Sequence, residues 1–281
     1  MPLLPITAPR APQAPLCLPT DLPRGTRRVV VMVHGYKYTP LMPAHCPHAK
    51  IFAPAAWPEG LGLGGPDVLA LGFGWHARGR LRDVHGHALA RGGQLATLIA
   101  GLRQAGRPVQ LVAHSLGATL ALAALPYLQA GDVDRILLLS GAAHRDMAQH
   151  ALRSPAGLAA HCIQITSAQN AIFERLFTLA VPGAGGIGGG IGCANSTRVM
   201  IDCARSRARL AALGYPIAAP ARTVCHWSSY TREGVMALNR ALLSGALDPD
   251  SLPRAALAPP RQTRKSWPST LRKAASHEPA H

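Results

Sequence analysis

The sequence contains few acidic residues, few aromatic residues and no long apolar run. Only 13 Asp and Glu stand against 29 Lys and Arg, so the formal net charge is +16, and aromatic residues make up 5% of the 281 residues. No uninterrupted apolar run is long enough to cross a bilayer as a helix. The first residues also lack the basic and apolar regions of a signal peptide. We therefore expect no transmembrane segment, and a cytoplasmic location.

Motifs for metal and nucleotide binding are also missing. The six cysteines include no CxxC pair, and their even number does not establish disulfides in a chain of this length. Two His-rich stretches, His45-Cys46-Pro47-His48 and His85-Gly86-His87, have no second pair of ligands beside them. The Gly-rich stretch from Val181 to Gly192 lacks the Lys-Ser/Thr that ends a phosphate-binding loop. We expect neither a metal nor a cofactor.

The positive charge by itself suggests an anionic partner such as a nucleic acid or a membrane surface. However, the basic residues are mostly Arg, and they are scattered through Ala-, Gly- and Pro-rich sequence. We therefore expect no nucleic-acid partner. A role for the basic segment from Arg254 to Lys273 at an anionic membrane or nucleic acid remains an alternative. The sequence leaves the oligomeric state open.

Three parts of the chain differ in composition. Residues 1–26 are rich in Pro, which blocks helices and removes hydrogen-bond donors, and are expected to be extended and largely unpacked. Residues 27–250 carry the periodic apolar segments of one α/β domain, and the hydrophobic content of 48% is sufficient for a large core. Residues 251–281 form a basic tail rich in Pro, Arg and Ser, for which we expect disorder.

Strand-like and helix-like segments alternate along the central part, which predicts a parallel sheet with helices on both faces. Predicted strands cover Arg28–Val33, Asp67–Phe73, Val109–Ala113, Arg135–Ser140, His161–Ser167, Arg198–Asp202 and Thr223–His226. Predicted helices cover Ala88–Gln104, the segment after Ser115, Met147–Leu152, Arg205–Leu213 and Gly234–Leu243.

One stretch, from Pro108 to Gly131, combines a strand, a sharp turn and a helix. The turn, Ala113-His114-Ser115-Leu116-Gly117, has small residues on either side of the serine, as a nucleophile elbow G-x-S-x-G requires, with Ala in the first position. Ser115 would then stand above the carboxyl end of a parallel sheet, next to the positive end of a helix. The alternative is a serine that only caps a helix.

Together with His34-Gly35-Tyr36 and the Gly74-to-Gly79 stretch GWHARG, the AHSLG turn resembles the α/β-hydrolases, in particular bacterial lipases and esterases. The resemblance covers Arg27 to Leu243 and implies the α/β-hydrolase fold, a mainly parallel sheet flanked by helices, with reduced N-terminal strands. It implies a serine hydrolase that cleaves a small-molecule carboxylic ester. Ser115 would be the nucleophile and His226 the base, and the backbone N–H groups of Leu116 and Tyr36 would form the oxyanion hole.

The acid of the triad is where the sequence departs from this pattern. Asn170 stands where such folds usually place an Asp or Glu. Glu174, one helical turn further on, is the first candidate for the acid, and Asn170 is the second because its amide can orient an imidazole without supplying charge. Asp146 and then Asp202 are the remaining candidates. His34 and His114 are expected to be structural.

Two functions therefore remain open. The first is an esterase- or lipase-like serine hydrolase, and the second is a non-catalytic α/β-hydrolase-like binding protein whose acid was lost at Asn170. We expect the substrate pocket to be walled by the connection from Lys37 to Gly65 and by the Gly-rich stretch from Val181 to Gly192. Because aromatic residues are few, we expect these walls to be aliphatic.

Overall fold

A computed structural model of the protein describes residues 3–11, 14–17, 26–104 and 109–252. The basic segment from Arg254 to Lys273 lies outside the described residues, as do residues 18–25 of the Pro-rich extension. The predictions of a disordered tail and of disorder at those positions therefore stay predictions.

The centre of the fold is a seven-stranded sheet in which every pairing is parallel and the strand order is β1-β3-β2-β4-β5-β6-β7. The strands are Leu3–Thr7 (β1), Arg28–Val33 (β2), Val68–Gly74 (β3), Val109–His114 (β4), Val133–Leu139 (β5), His161–Thr166 (β6) and Ser196–Met200 (β7). Because all strands are parallel, their carboxyl ends meet at one edge, and β4 is the middle strand.

The helices cover both faces of this sheet. They are Trp57–Gly60 (α1), Leu81–Ala90 (α2), Gly92–Gln104 (α3), Gly117–Ala124 (α4), Arg145–Leu152 (α5), Pro155–Ala159 (α6), Ala171–Ala180 (α7), Ala204–Ala212 (α8), Ser228–Thr231 (α9) and Val235–Ser244 (α10), with short 3₁₀ turns at Pro43–His45, Leu125–Tyr127, Ala168–Asn170, Ile187–Gly189 and Pro249–Ser251.

Burial on both faces explains why the strands are continuous apolar runs. Along β2, Val29, Val31 and Val33 pack into one core cluster, whereas Val30 and Met32 pack into a second cluster on the opposite face. A strand that alternates between two apolar environments needs apolar residues at every position. The expected architecture, a mainly parallel sheet flanked by helices, is confirmed.

The N-terminal segment differs from the prediction of an unpacked extension, because Leu3–Thr7 pair with β3 at the edge of the sheet. Ile6 and Ala8 are buried, and the Ala8 N–H donates to Gly74 O at 2.8 Å. Since N–H groups alternate in direction along a strand, Pro5 faces away from β3, where no ladder hydrogen bond is lost. The prediction was wrong for residues 3–7 because Pro is compatible with an edge strand.

Two further predicted elements differ. The helix predicted at Ala88–Gln104 is divided into α2 and α3 at Arg91, whose buried side chain donates to Pro9 O and Arg10 O. No strand forms at Thr223–His226, which is an irregular segment before α9. In the described part of the chain, no helix is long and apolar enough to span a membrane.

A pair of helical glycines tests how closely the helices pack. A Cβ at Gly92 would lie 2.5 Å from Ala123 O, whereas a Cβ at Gly86 in α2 would meet no atom within 4 Å. Gly92→Ala is expected to lower the free energy of unfolding by about 1–3 kcal/mol through overpacking. Gly86→Ala, the matched control, is expected to raise it by about 0.5–1 kcal/mol because Ala has the higher helix propensity. Urea unfolding midpoints measure both, and equal shifts would contradict the close contact between α3 and α4.

Candidate active site

Ser115 follows the last residue of β4 at the carboxyl edge of the sheet, and its backbone is left-handed, with φ of 53°. Such a conformation costs a residue with a side chain on the order of 1–3 kcal/mol and persists only where neighbouring groups fix it. Here the Ser115 N–H donates to Leu139 O at 3.1 Å, and Ser115 O accepts from Ala142 N at 2.9 Å. The turn therefore has the strand-to-helix geometry expected of a nucleophile elbow.

Two glycines allow the elbow to approach the neighbouring strand. A Cβ at Gly35 would lie 2.6 Å from the Ser115 Cβ, and a Cβ at Gly117 would lie 2.6 Å from Val33 O. A side chain at either position would push the serine turn away from the end of β2. These contacts explain the glycines of the HGY and AHSLG sequences in steric terms.

A chain of hydrogen bonds joins Ser115, His226 and Asn170. The His226 Nε2 lies 2.8 Å from the Ser115 Oγ, and the His226 Nδ1 lies 2.6 Å from the Asn170 Oδ1. Because an amide oxygen only accepts hydrogen bonds, Nδ1 is the protonated nitrogen. Nε2 is then the acceptor that faces the hydroxyl of Ser115.

The irregular segment that carries His226 is held by contacts from both sides. The Cys225 N–H donates to Gln169 O at 3.1 Å, and His114 Nε2 lies 3.3 Å from His226 O. The His226 ring is stacked on Phe173, with ring centroids 4.6 Å apart and an angle of 29° between the planes. These contacts provide the positioning that the predicted strand at Thr223–His226 would have supplied.

None of the three candidate carboxylates is hydrogen-bonded to His226 in the described part of the chain. Glu174, the first candidate, lies one turn beyond Asn170 in α7, but its Oε1 accepts from Gly188 N at 2.8 Å. Asp146 accepts from Met147 N at the start of its own helix. Asp202 pairs with Arg232, at 2.5 Å between Oδ1 and NH2. The structure thus brings Asn170, the second candidate, to the imidazole.

Arg232 and Asp202 hold the turn that presents Asn170. The Asp202 Oδ1 accepts from Ser167 Oγ at 3.1 Å, and Asp202 also accepts from the Ala168 N–H. The Arg232 guanidinium donates to the Gln169 side chain and to Ile201 O. Both charged side chains are nearly buried, so the pair is a structural clamp on the turn. Nothing in the sequence pattern had indicated this pairing.

Two backbone N–H groups are available beside the serine. Within the described residues, neither the Leu116 N–H nor the Tyr36 N–H donates a hydrogen bond to another group of the protein. Leu116 is the residue before α4, where the helix dipole is positive. Tyr36 is fixed by its hydroxyl, which donates to Gly79 O at 2.5 Å. Both residues line the cavity together with Ser115, and their assignment to an oxyanion hole stays a prediction.

His34 supports the loop that carries Tyr36, as expected of a structural histidine. Its Nε2 accepts from the Trp75 N–H at 3.0 Å, and its Nδ1 lies 2.9 Å from Gly35 O. The Trp75 indole N–H in turn donates to His34 O at 3.0 Å, and the two rings are stacked. Trp75 of the GWHARG stretch therefore fixes the HGY loop.

Burial keeps the histidines of the site neutral. Desolvation is the main cause that lowers the pKa of His34 to about 3 and the pKa of His226 to about 4. Desolvation, followed by the nearby His226, lowers the pKa of His114 well below its ordinary value. A neutral His226 can accept a proton at its Nε2.

A cavity of about 480 Å³ opens over Ser115 and His226. Residues from both predicted walls line it, including Lys37 and Lys50 from the first and Gly186 and Ile187 from the second. The expectation of aliphatic walls is met only in part, because aromatic residues line the cavity together with aliphatic ones such as Leu81, Leu176 and Ile187. The aromatic ones are Tyr36, Tyr38, Phe173, Phe177 and Trp227.

Helix α7 forms a third wall, which the sequence analysis did not identify. Phe173, Leu176 and Phe177 line the cavity, and Leu176 is also about half exposed. The apolar spacing of three and four residues along AIFERLFTLA could have indicated this face.

The two His-rich stretches do not form a metal site together. Among the described residues, no group of three or more His, Cys, Asp or Glu side chains is arranged to hold a metal ion. His48 packs against Phe52, and His85 packs against His144 and Phe177. These histidines are therefore accounted for by ring packing.

The buried neutral histidines predict how stability depends on pH. In the unfolded chain each histidine binds a proton below about pH 6.5, whereas folded His34 and His226 bind one only near their lowered pKa values of about 3 and 4. Stability is therefore expected to fall as the pH drops from about 6.5 to 4, by up to about 1.4 kcal/mol per pH unit for each such histidine. Urea unfolding across this range measures the slope. His226→Gln should make the slope shallower, and an unchanged slope would contradict a neutral His226.

Comparison with known proteins agrees with this geometry. A family model described as serine hydrolase matches residues 88–172, which include Ser115 and Asn170. No curated protein sequence matches the chain.

Solved structures with similar folds include TT1662 from Thermus thermophilus, at 14% identity and a TM-score of 0.39, covering 64% of this chain and 81% of that one. The mature Bacillus licheniformis lipase BlEst2 has 14% identity and a TM-score of 0.40, with coverage of 64% and 85%. Esterase PE8 has 16% identity and a TM-score of 0.37, with coverage of 63% and 84%. The sequence resemblance to serine hydrolases is confirmed for residues 88–172, which match that family, and the parallel sheet flanked by helices has the architecture that the resemblance implied.

Proposed function

We propose that this protein is a serine hydrolase that cleaves carboxylic esters through an acyl-enzyme on Ser115. The observation that carries the proposal is the continuous hydrogen-bond chain from the Ser115 Oγ through the His226 ring to the Asn170 Oδ1, at 2.8 Å and 2.6 Å. The match of residues 88–172 to the serine hydrolase family supports hydrolase chemistry. The aromatic cavity over the serine provides room for a small ester.

In the first half of the reaction, the Ser115 Oγ attacks the carbonyl carbon of the ester and its proton moves to the His226 Nε2. The carbonyl oxygen becomes an oxyanion, to which the Leu116 and Tyr36 N–H groups can donate hydrogen bonds. Each such donor contributes on the order of 3 kcal/mol to transition-state stabilisation. The bond from carbon to the alcohol oxygen then breaks, and the alcohol leaves with the proton from Nε2.

In the second half, a water molecule gives a proton to the His226 Nε2 as its oxygen attacks the acyl carbon. The bond from that carbon to the Ser115 Oγ breaks, and Oγ takes the proton back from Nε2. The products are the carboxylic acid and free enzyme, so each turnover consumes one water molecule. No cofactor is required for these steps.

Asn170 has a narrower role than a carboxylate would have. Its oxygen holds the imidazole in the tautomer with the proton on Nδ1, which leaves Nε2 free to act as the base. It supplies no negative charge to the imidazolium that forms during the attack. We therefore assign Asn170 the orientation of His226, with a slower reaction than a carboxylate triad would support.

The second candidate function is a binding protein without catalysis. It is favoured by one observation, that no carboxylate of the described residues is hydrogen-bonded to His226. Two features favour the enzyme instead. The left-handed backbone of Ser115 is retained despite its strain, and the hydroxyl remains aligned with the histidine.

Active-site labelling separates the two functions. A fluorophosphonate probe is expected to label the wild-type protein at Ser115, because a hydroxyl hydrogen-bonded to a neutral histidine is a nucleophile. Ser115→Ala should abolish labelling. Ser140→Ala is the matched control, since Ser140 also lies in the cavity with a positive φ, after β5, and should keep the label. Mass spectrometry locates the adduct. If the wild-type protein is labelled no more strongly than Ser115→Ala, the enzyme function is excluded and the function of a non-catalytic binding protein remains.

Restoring a carboxylate at position 170 tests the role of the amide. Asn170→Asp is expected to raise kcat by about tenfold or more, because the charge stabilises the imidazolium. Asn170→Leu, which keeps the volume and removes the acceptor, should lower kcat. Hydrolysis of 4-nitrophenyl pentanoate measures both, and equal rates in all three proteins would exclude Asn170 from the reaction.

The pH dependence of the same variants provides a second measurement. The base must be neutral, and the wild-type pKa of about 4 for His226 predicts that kcat/KM is lost only as the pH falls through about 4. A carboxylate beside the ring favours the imidazolium, so Asn170→Asp should move this loss to higher pH. Activity is measured directly after a brief pH jump, so that the protein does not unfold at low pH during the assay. A loss at the same pH in both proteins would contradict a contact between residue 170 and the base.

A further inference from the structure

A cluster of positive side chains lies at the mouth of the cavity, and the proposed esterase reaction does not use it. Lys37, Lys50 and His45 line the cavity, and the guanidinium of Arg78 donates to Lys37 O at 3.1 Å. In the described part of the chain the ion pairs join other residues, Arg135 with Asp134 and Arg232 with Asp202. The cluster therefore has positive charge without a carboxylate to balance it.

The distribution of lysine in the chain sets this cluster apart from the general excess of positive charge. Arginine is scattered along the whole sequence, whereas the described residues contain two lysines, Lys37 and Lys50. Both of them line the cavity above Ser115. A general preference for Arg does not account for two lysines at one site.

The backbone at Lys37 is fixed in a conformation that a side chain makes less favourable. Its φ is 74°, in the left-handed region where Gly or Asn is common. The Lys37 N–H donates to Ala77 O at 2.7 Å, which holds the loop against the end of β3. Lysine at this position therefore carries a backbone cost that Gly or Asn would reduce.

The charges within the cluster act on each other. The pKa of His45 is lowered, first by partial desolvation and then by the positive charges of Arg78 and Lys50. The one carboxylate among the described residues that line the cavity is Glu174, which accepts the Gly188 N–H and is attracted to Arg198. An anion placed beside Lys37 and Lys50 would be attracted by both ammonium groups, and its negative charge would favour a proton on the nearby His45.

We propose, on the basis of the proposed ester hydrolysis, that the preferred substrates are esters that carry an anionic group, a carboxylate or a phosphate, on either the acyl or the alcohol part. The anion lies between Lys37, Lys50 and His45, and the apolar part of the substrate lies against Phe173, Phe177 and Trp227. The reacting carbonyl then lies over Ser115, between the two parts. The lysines select the substrate and take no part in the bond changes.

Three chromogenic esters of matched acyl length test this selection. 4-Nitrophenyl pentanoate is neutral, the mono-4-nitrophenyl ester of glutarate carries a carboxylate on the acyl part, and 5-pentanoyloxy-2-nitrobenzoate carries one on the alcohol part. Lys37→Asn combined with Lys50→Gln is expected to raise KM for one or both anionic esters by about fivefold. The KM for the neutral ester and the kcat for all three esters should not change. The affected ester shows which part of the substrate carries the anion. Asn suits the left-handed backbone at position 37.

Controls separate this inference from the proposed reaction. Ser115→Ala gives the background rate of each ester, and Arg209→Gln on the exposed side of α8 removes a distant charge and should change no KM. The preference for the anionic ester should weaken in high salt. Hydrolysis that depends on Ser115 but shows the same KM changes for neutral and anionic esters would overturn the inference and leave the proposed function intact.

A binding measurement tests the site even if no ester is hydrolysed. Octyl phosphate is titrated into the Ser115→Ala protein while the NMR signal of the His45 ring is followed, with assignment by His45→Gln. Bound phosphate should raise the pKa of His45, and the double lysine variant should bind about fivefold more weakly. Equal binding by both proteins, or an unshifted His45, would overturn the proposal.

Discussion

The left-handed backbone of Ser115 is the constraint around which the site is arranged. It places the side chain above the carboxyl edge of the sheet, and hydrogen bonds with Leu139 at the end of β5 and with Ala142 in the following loop hold it there. The turn fits only because Gly35 and Gly117 leave room between β2 and β4. The parallel pairing of these strands then brings the HGY loop, the serine and the Asn170 turn to one edge. The position of the site thus follows from the arrangement of strands, and its chemistry follows from a few side chains at their ends.

The pairing of Arg232 with Asp202 connects parts of the chain that lie far apart in sequence. It holds the turn from Ser167 to Asn170, and the backbone of Gln169 in that turn accepts the Cys225 N–H beside His226. A nearly buried ion pair is not by itself a strong source of stability, but it fixes one arrangement of the groups around it. In this protein the arrangement is the one that brings the oxygen of Asn170 to the imidazole. The distance between His226 and Asn170 therefore depends on Arg232 and Asp202, which are not part of the hydrogen-bond chain.

The strands and the serine turn could be predicted from the sequence because local signals encode them. Apolar runs such as VVVMV belong to strands buried on both faces, and AHSLG has the small residues that the turn needs. The partner of His226 could not be ranked in this way, because Glu174 and Asn170 lie on one helical turn, and the Gly188 N–H that binds Glu174 comes from a distant part of the sequence. The aromatic residues that line the cavity were missed because a low average content of aromatic residues does not show where in the fold they lie. The paired strand at Leu3–Thr7 was missed because Pro was taken as a sign of unpaired chain.

Pro5 at the outer side of that strand has a further consequence for how molecules of this protein meet each other. An edge strand exposes a row of N–H and C=O groups that can pair with the edge of another sheet, which is a common route to aggregation. Pro5 has no N–H, and it interrupts the row on the side that faces away from β3. Pro5, which led the sequence analysis to expect unpaired chain, thus also makes this edge a poorer template for an eighth strand from a neighbouring molecule.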